Sequence, residues 1–304
     1  VADSILRLFK RNVELTLISQ PSTGTKYFDT SQVGNALIVT DLRVQFEIKK
    51  NVGREPNTCN LTVTNMAKES RGRLERKPVY VILRAGHDGV LKPLFEGNVT
   101  YAKSELKSPD WVTKIQIADG GRAYSQARLN RSYSPPINPS RVLADCAAAM
   151  GLPVPTDLAT VDELKQALAS GYSANGPVRD ILTKMLAPYG FSWSIQNGKL
   201  QVLKSGVPNA NTAWVIDVDA GMIGSPEGSV PHKPGQTSEL SIDVLLFPEL
   251  VPGDTIQVNS RAYNGGFFRV NDVEHKGDTR GDDFTTSVKA TPLGAPPSRG
   301  RGRR

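Results

Sequence analysis

Few residues in this chain belong to the types that carry out covalent or metal chemistry, and their spacing argues against such work. Three histidines occur. His87 lies in the turn Gly86-His87-Asp88-Gly89, His232 in a proline-flanked stretch, and His275 at the end of a strand-like run. A metal centre or a metallopeptidase helix needs ligands at short fixed intervals, as in HExxH, so that two side chains converge on one point. None of the three has a ligand at such a spacing, so each is expected to serve a surface or an interface. No metal is expected. The two cysteines, Cys59 and Cys146, show neither CxxC nor Cys/His spacing. Cys146 falls on the apolar stripe of a helix-like segment, where a thiol stays protonated and unreactive. Both are expected to be small buried groups, free of a disulfide.

Carboxylates for glycoside hydrolysis could be sought among Glu96, Glu274, Asp282 and Asp283, because that chemistry needs two acids facing one another across a bond. However, Asp278, Asp282 and Asp283 crowd with Gly277 and Gly281 in a hairpin-like turn, where Asp serves backbone hydrogen bonds. The nucleophile elbow GxSxG and the phosphate-binding glycine loops are absent. The expectation is a protein that is not an enzyme, with no catalytic residue and no cofactor. Aromatic side chains mostly alternate with polar ones. Trp111, Trp193 and Trp214 are therefore expected in the core, and Tyr133 and Tyr263 at exposed interface positions.

The elements that would position these residues follow from hydrophobic periodicity. At 304 residues, two or three compact units are expected. From Asn12 to about Gly121 the period is two, the mark of strands with one buried face. Leu42, Val44, Phe46 and Ile48 alternate with Arg43, Gln45, Glu47 and Lys49, and similar runs follow at Cys59/Leu61/Val63, Val79/Val81/Leu83 and Trp111/Thr113/Ile115/Ile117. The polar stretch Ala67 to Arg76 could form a surface helix. Ser125 to Pro136 reads as a linker. Beyond it the period becomes 3.6. Asn138 with Pro139 opens a helix that ends at Gly151, Thr160 and Glu163 form a capping-box pair for a second, and Pro177 opens a third that Pro188 breaks. Asn197-Gly198 between Phe191/Trp193/Ile195 and Leu200/Val202 is a strong hairpin signal. After Val207 strand patterns return through Ala290.

The formal net charge is +7, of which Arg299, Arg301, Arg303 and Arg304 supply four, leaving +3 on the remainder. A nucleic-acid binder concentrates its basic residues in the fold, whereas here the excess sits in a terminal tail. No apolar run approaches the roughly 20 residues needed to cross a bilayer. The opening Val1 to Leu8 carries charges where a secretion signal is apolar, so cytoplasmic folding is expected. The expected architecture is mainly β with an α+β insert: residues 1–124 a first β domain, 125–206 the insert, 207–293 a second β domain, and 294–304 a basic tail.

Specific stretches add to this. "VTDLRVQFEIKK", "NTCNLTVTNMAKESRGRL", "VILRAGHDG", "LFEGNVTYAKSE" and "DWVTKIQIADGGRAYS" resemble the N-terminal half of baseplate hub proteins from contractile-tailed bacteriophages, the group that includes late control protein D. "LVPGDTIQVNS" and "GGFFRVNDVEHKGDTRGDDFTTSVKATP" resemble their last domain, and "SANGPVRDILTKMLAPYGFSWSIQNGKLQVLKSG" their insert. The resemblance implies two tube-like β-barrel domains per chain and a homotrimer that makes a ring of six. Such a ring mates a sixfold tail tube or tube initiator to a threefold central spike, among other baseplate proteins, with DNA passing transiently through it. It implies a structural role in the virion, assembled in the host cytoplasm without membrane insertion. Arg299, Arg301, Arg303 and Arg304 are then expected to contact the spike or a neighbouring subunit. The alternatives are a tail-associated glycan- or DNA-binding module and a cell-wall-degrading hub enzyme.

Overall fold

The computed structural model describes residues 10–19, 36–76, 78–153, 164, 170–204, 206–209, 213–229, 238–260 and 264–293. The capping pair Thr160/Glu163, His232, Tyr263 and the four terminal arginines lie outside the described residues. The molecule is mainly β with a small α+β insert. Its first part runs β1 (Arg11–Ser19), β2 (Leu37–Val39), β3 (Val44–Asn51), β4 (Thr58–Thr64), α1 (Lys68–Arg76), β5 (Val79–His87), β6 (Val90–Lys107) and β7 (Asp110–Ala118). The insert holds α2 (Gly121–Gln126), β8 (Arg128–Tyr133), α3 (Pro139–Met150), β9 (Tyr172–Pro177), α4 (Val178–Leu186), β10 (Phe191–Gln196) and β11 (Lys199–Lys204). The last part contributes β12 (Ala213–Ile216), β13 (Met222–Ser229), β14 (Glu239–Leu245), β15 (Thr255–Asn259), β16 (Asn264–Asp278) and β17 (Phe284–Pro292).

Local sequence accounts for most of these elements. Alternation in β3 buries Val44, Phe46 and Ile48 and leaves Glu47 and Lys49 toward solvent. Helix α3 stops where Gly151 takes the left-handed conformation, and α4 begins directly after Pro177. The β10–β11 hairpin turns through Asn197 and Gly198 with φ of 47° and 71°. Two successive left-handed residues suit the turn whose twist matches the strands, which is why Asn-Gly signals it. The stretch expected as a linker behaves differently. Arg128–Tyr133 pairs as β8 with β9, from Arg128↔Pro177 to Tyr133↔Tyr172, and its partner is too distant in the chain for local pattern to reveal.

The two β parts share one topology. In the first, hydrogen-bonded neighbours run β3-β4-β7-β6-β5-β1, and in the second β13-β14-β17-β16-β15-β12. Matching strands occur in the same chain order, so the second set repeats the first strand for strand. A difference lies at the far edge, where β1 is antiparallel to β5 but β12 is parallel to β15.

Strand β16 joins the two parts. Its first half pairs with β15, Arg269↔Thr255 through Asn264↔Asn259. Its second half offers the same edge to β3, Asp272↔Asn51 through Asp278↔Gln45, while β17 runs along the other edge. A bulge between Val270 and Asp272 marks the handover, as bulges do where a strand must bend and change partner. The apolar interior is continuous across this join. Leu246 and Phe284 of the second part lie in one buried cluster with Phe46, Ile48, Leu61 and Ile115 of the first, and the Phe46 and Phe284 rings meet edge-on at 6.0 Å. The insert has its own core, which reaches Ile18 and Tyr80 on β1 and β5. At the join, a Cβ on Gly277 would overlap the Phe46 ring. Gly277→Val is therefore expected to destabilise the chain by about 1–3 kcal/mol, the usual range for overpacking, as measured by urea unfolding. Gly72→Ala, where the added carbon would meet nothing within 4 Å, serves as the control.

Candidate functional site

The join produces one continuous face that spans both β parts. Across it, directly opposed residues form rows: Thr285–Lys276–Glu47–Asn60–Gln116–Tyr101 in one, and Ser287–Glu274–Lys49–Thr58 in the next. Nearly every outward position is polar, and cations stand among carboxylates, with Lys103 and Lys114 directly opposed. Lys49 Nζ lies 2.7 Å from Glu47 and 3.7 Å from Glu274, Lys276 lies 3.2 Å from Glu274, and Lys103 lies 2.6 Å from Glu105. The hydrogen bond between Lys49 and Glu47 raises the ammonium pKa and lowers that of the carboxyl, and Lys103 with Glu105 behave alike. Pairs this exposed contribute little stability. Their effect is on the field: at the join Lys49 and Lys276 carry their counter-charges on the same surface, whereas Lys103, Lys107 and Lys114 surround the single Glu105.

Beneath that face, on the opposite side of β3, lies a buried polar knot. The alternation that buries Val44, Phe46 and Ile48 continues to Lys50, which is fully buried. Its ammonium donates to the Leu94 carbonyl at 2.7 Å and to Asn197 Oδ1 at 3.0 Å. Burial lowers its pKa to about 8, with Asp119 opposing that shift. Asp119 in turn accepts the backbone N–H groups of Asn197 and Gly198 at 2.6 and 3.1 Å. The Asn57 amide donates to the Ile195 carbonyl and to Gln196 Oε1, and Gln196 Nε2 reaches the Asn51 carbonyl. On its far side the same hairpin donates from Gln201 to the Pro252 carbonyl. The β10–β11 turn is therefore held to the sheet by saturated hydrogen bonds, since a buried polar group left unmet costs far more than a made bond returns.

Several residues singled out from sequence sit elsewhere in this picture. His275 was expected at a surface or interface, but it is wholly buried in the middle of the join, opposite Ile48, with Nδ1 2.8 Å from Thr286 Oγ1. The strand continues three residues beyond it to meet β3, and burial holds its pKa well below the ordinary imidazole value. His87 packs edge-on against Phe284 at 5.1 Å. Tyr133 was expected to be exposed but is only 7% so, with its hydroxyl donating to Asp145 at 2.7 Å. Trp193 is in the core and Trp214 donates to Asp254. Trp111, expected in the core, is 39% exposed and stacks under the Arg71 guanidinium at 3.8 Å.

Cys59 and Cys146 are buried and free. Burial raises both thiol pKa values, that of Cys146 to about 12. Asp278 accepts from Arg43, from Gln45 and from the Arg280 N–H, and the Arg43 hydrogen bond lowers its pKa. Glu96 and Glu274 lie in different places, the former buried enough to raise its pKa and the latter on the open face. Among the described residues no group of three or more His, Cys, Asp or Glu could hold a metal ion, and no helix is long and apolar enough to cross a membrane. Lys50, Asp119 and Asn57 went unnoticed in the sequence. The phase of Lys50 with Ile48 was the signal that could have found it.

No protein-family model matches the chain, and no curated protein matches it. Solved structures do. The 43 kDa tail protein of prophage MuSo2 from Shewanella oneidensis superposes with a TM-score of 0.61 at 8% identity, over 91% of this chain and 96% of that one. A tail protein from Neisseria meningitidis gives 0.57 at 11% identity, over 93% and 97%. An Escherichia coli type VI secretion component, described as structurally similar to the T4 bacteriophage tail proteins gp27 and gp5, gives 0.53 at 13% identity, over 83% and 73%. At such identities these likenesses establish a shared fold.

The buried groups make stability depend on pH in two windows. Folded Lys50 loses its proton near pH 8 and unfolded Lys50 near 10.5, so the unfolded chain binds more protons between these values and stability rises with pH there. Lys50→Met is expected to flatten that rise in unfolding measurements. Below about pH 6.5 the unfolded His275 takes up a proton that the folded one refuses, so stability falls as pH drops, and His275→Gln is expected to lessen the fall. Asp119→Ala leaves two buried N–H groups without their acceptor and is expected to cost about 1–3 kcal/mol, with faster amide exchange concentrated at Asn197 and Gly198.

Proposed function

We propose that the chain is a structural subunit of a phage-type tail baseplate hub, and that three copies close into a ring of six β parts around a channel. The observation that carries this reading is the repeated six-strand topology joined edge to edge within one chain. A chain with two equivalent halves supplies six equivalent positions from three copies. Such a ring can meet a sixfold tube on one side and a threefold spike on the other. The similarity in fold to phage tail proteins and to a type VI component likened to T4 tail proteins supports the same assignment. The role is one of shape and symmetry, without catalysis, within the virion after assembly in the host cytoplasm.

In this reading the polar face of the joined sheet lines the channel. At the join Lys49 and Lys276 stand beside Glu47 and Glu274, so a passing polyanion releases few counterions there. DNA would pass without being gripped. The insert hairpin lies on the Lys50 side of β3, opposite Glu47 and Lys49, which sets the insert away from the channel. The tail residues Arg299, Arg301, Arg303 and Arg304 are assigned to an acidic surface on the spike or a neighbouring subunit.

Light scattering of the purified protein is expected to give the mass of three 32.9 kDa chains, and electron micrographs a ring with a central hole. A monomer at all concentrations would overturn the assignment, as would clearing of cell-wall material by the isolated chain. The double variant Glu47→Gln/Glu274→Gln leaves Lys49 and Lys276 uncompensated. It is expected to bind duplex DNA at least tenfold more tightly than the parent at low salt, with a steeper loss of affinity as salt rises.

A further inference from the structure

The equivalence of the two β parts extends to details of β6 and β16. Each is long, and each pairs along its first half with the strand that precedes it, β5 or β15. Each then carries a one-residue bulge, at Thr100 or Asn271. Beyond the bulge each makes the same side-chain hydrogen bond to the same position of its hairpin partner, Ser104 to Thr113 at 3.1 Å and His275 to Thr286 at 2.8 Å. In β16 the edge beyond the bulge is taken by β3. In β6 the corresponding edge, from Tyr101 to Lys107, pairs with no strand among the described residues. Strand β13, the equivalent of β3, likewise has β14 on one side and no described strand on the other. The chain therefore makes a join once and presents both halves of it a second time.

We infer that the β6 edge of one copy receives β13 of the next, antiparallel, as a repeat between chains of the β16·β3 join within the chain. The inference rests on the ring assignment and names the surface that closes it. Edges of unlike kind at the two ends generate a head-to-tail contact, the type that closes rings, and pairing them removes exposed strand edges. Exposed apolar side chains stand on both strands, Leu106 on β6 and Ile223 on β13, and each gains a neighbouring strand on pairing. By equivalence with His275↔Ile48, Ser104 faces Gly228. Until then Glu75 of α1 accepts the outward N–H of Ser104 at 2.8 Å. That contact satisfies one donor and guards the edge against wrong partners, and Glu75 swings aside when β13 arrives.

The test is a double variant, Ser104→Cys/Gly228→Cys, oxidised gently as the full-length protein, with its mass in solution measured in parallel. Cys59 and Cys146 are buried and free and do not compete. Covalent species that stop at three chains, absent from either single variant, support the inference. A particle of three chains that stays uncrosslinked overturns it and leaves the ring standing, whereas a monomer overturns both. An independent variant, Leu106→Pro, removes an N–H that faces outward in phase with that of Ser104, and proline is tolerated on open edges only. It is expected to keep the fold by circular dichroism and weaken self-association at least tenfold. Unchanged association would also overturn the inference.

Discussion

Everything in this fold depends on one strand serving two sheets along a single edge. Strand β16 gives its first half to β15 and its second half to β3. That handover requires backbone donors and acceptors to stay matched while the partner changes, and the bulge after Val270 makes the change possible. Without the shared strand, each β part would expose an open edge. With it, the apolar side chains of both lie in one interior, from Phe46 and Ile48 to Phe284 and Leu246. The absence of a side chain at Gly277 and the neutral, buried His275 are both consequences of that packing.

The polar knot around Lys50 is the second constraint, and it follows from the first. Near the end of the join, opposite Val273, the inward phase of β3 falls on a lysine. An ammonium taken out of water is tolerated only when it is hydrogen-bonded. Leu94, Asn197 and the nearby Asp119 meet that demand. The stability gained is modest, because desolvation offsets the attraction. What the knot supplies is position. The β10–β11 turn can sit in only one place, with Asp119 and Asn57 reading its backbone.

Much of this was legible in the sequence, and the exceptions share a cause. Alternation marked β3, β4, β5, β7, β14 and β17, and Asn197-Gly198 marked its hairpin, because these signals are local. Strand β13, with its run Gly-Ser-Pro-Glu-Gly, carries no alternation and was invisible. So was β8, whose polar residues look like a linker until β9 supplies the partner. Pattern says which face of a strand is buried but not whose edge it meets. The β16·β3 join, the repeated topology and the burial of His275 and Tyr133 are all statements about partners. Trp111 failed for a related reason. Its strand alternates and it shares the buried phase of Thr113, Ile115 and Ile117, but it sits at the strand end beyond the core, where Arg71 covers the ring.

The seven residue pairs between β16 and β3 also decide how the molecule carries force. Tension applied along those strands acts on all the pairing bonds together, so they must shear in concert. A pull across them would open the bonds one after another at far lower force. A component pushed or drawn along its strand direction is therefore stiff, with both halves moving as a single piston, and it is weakest against a sideways peel.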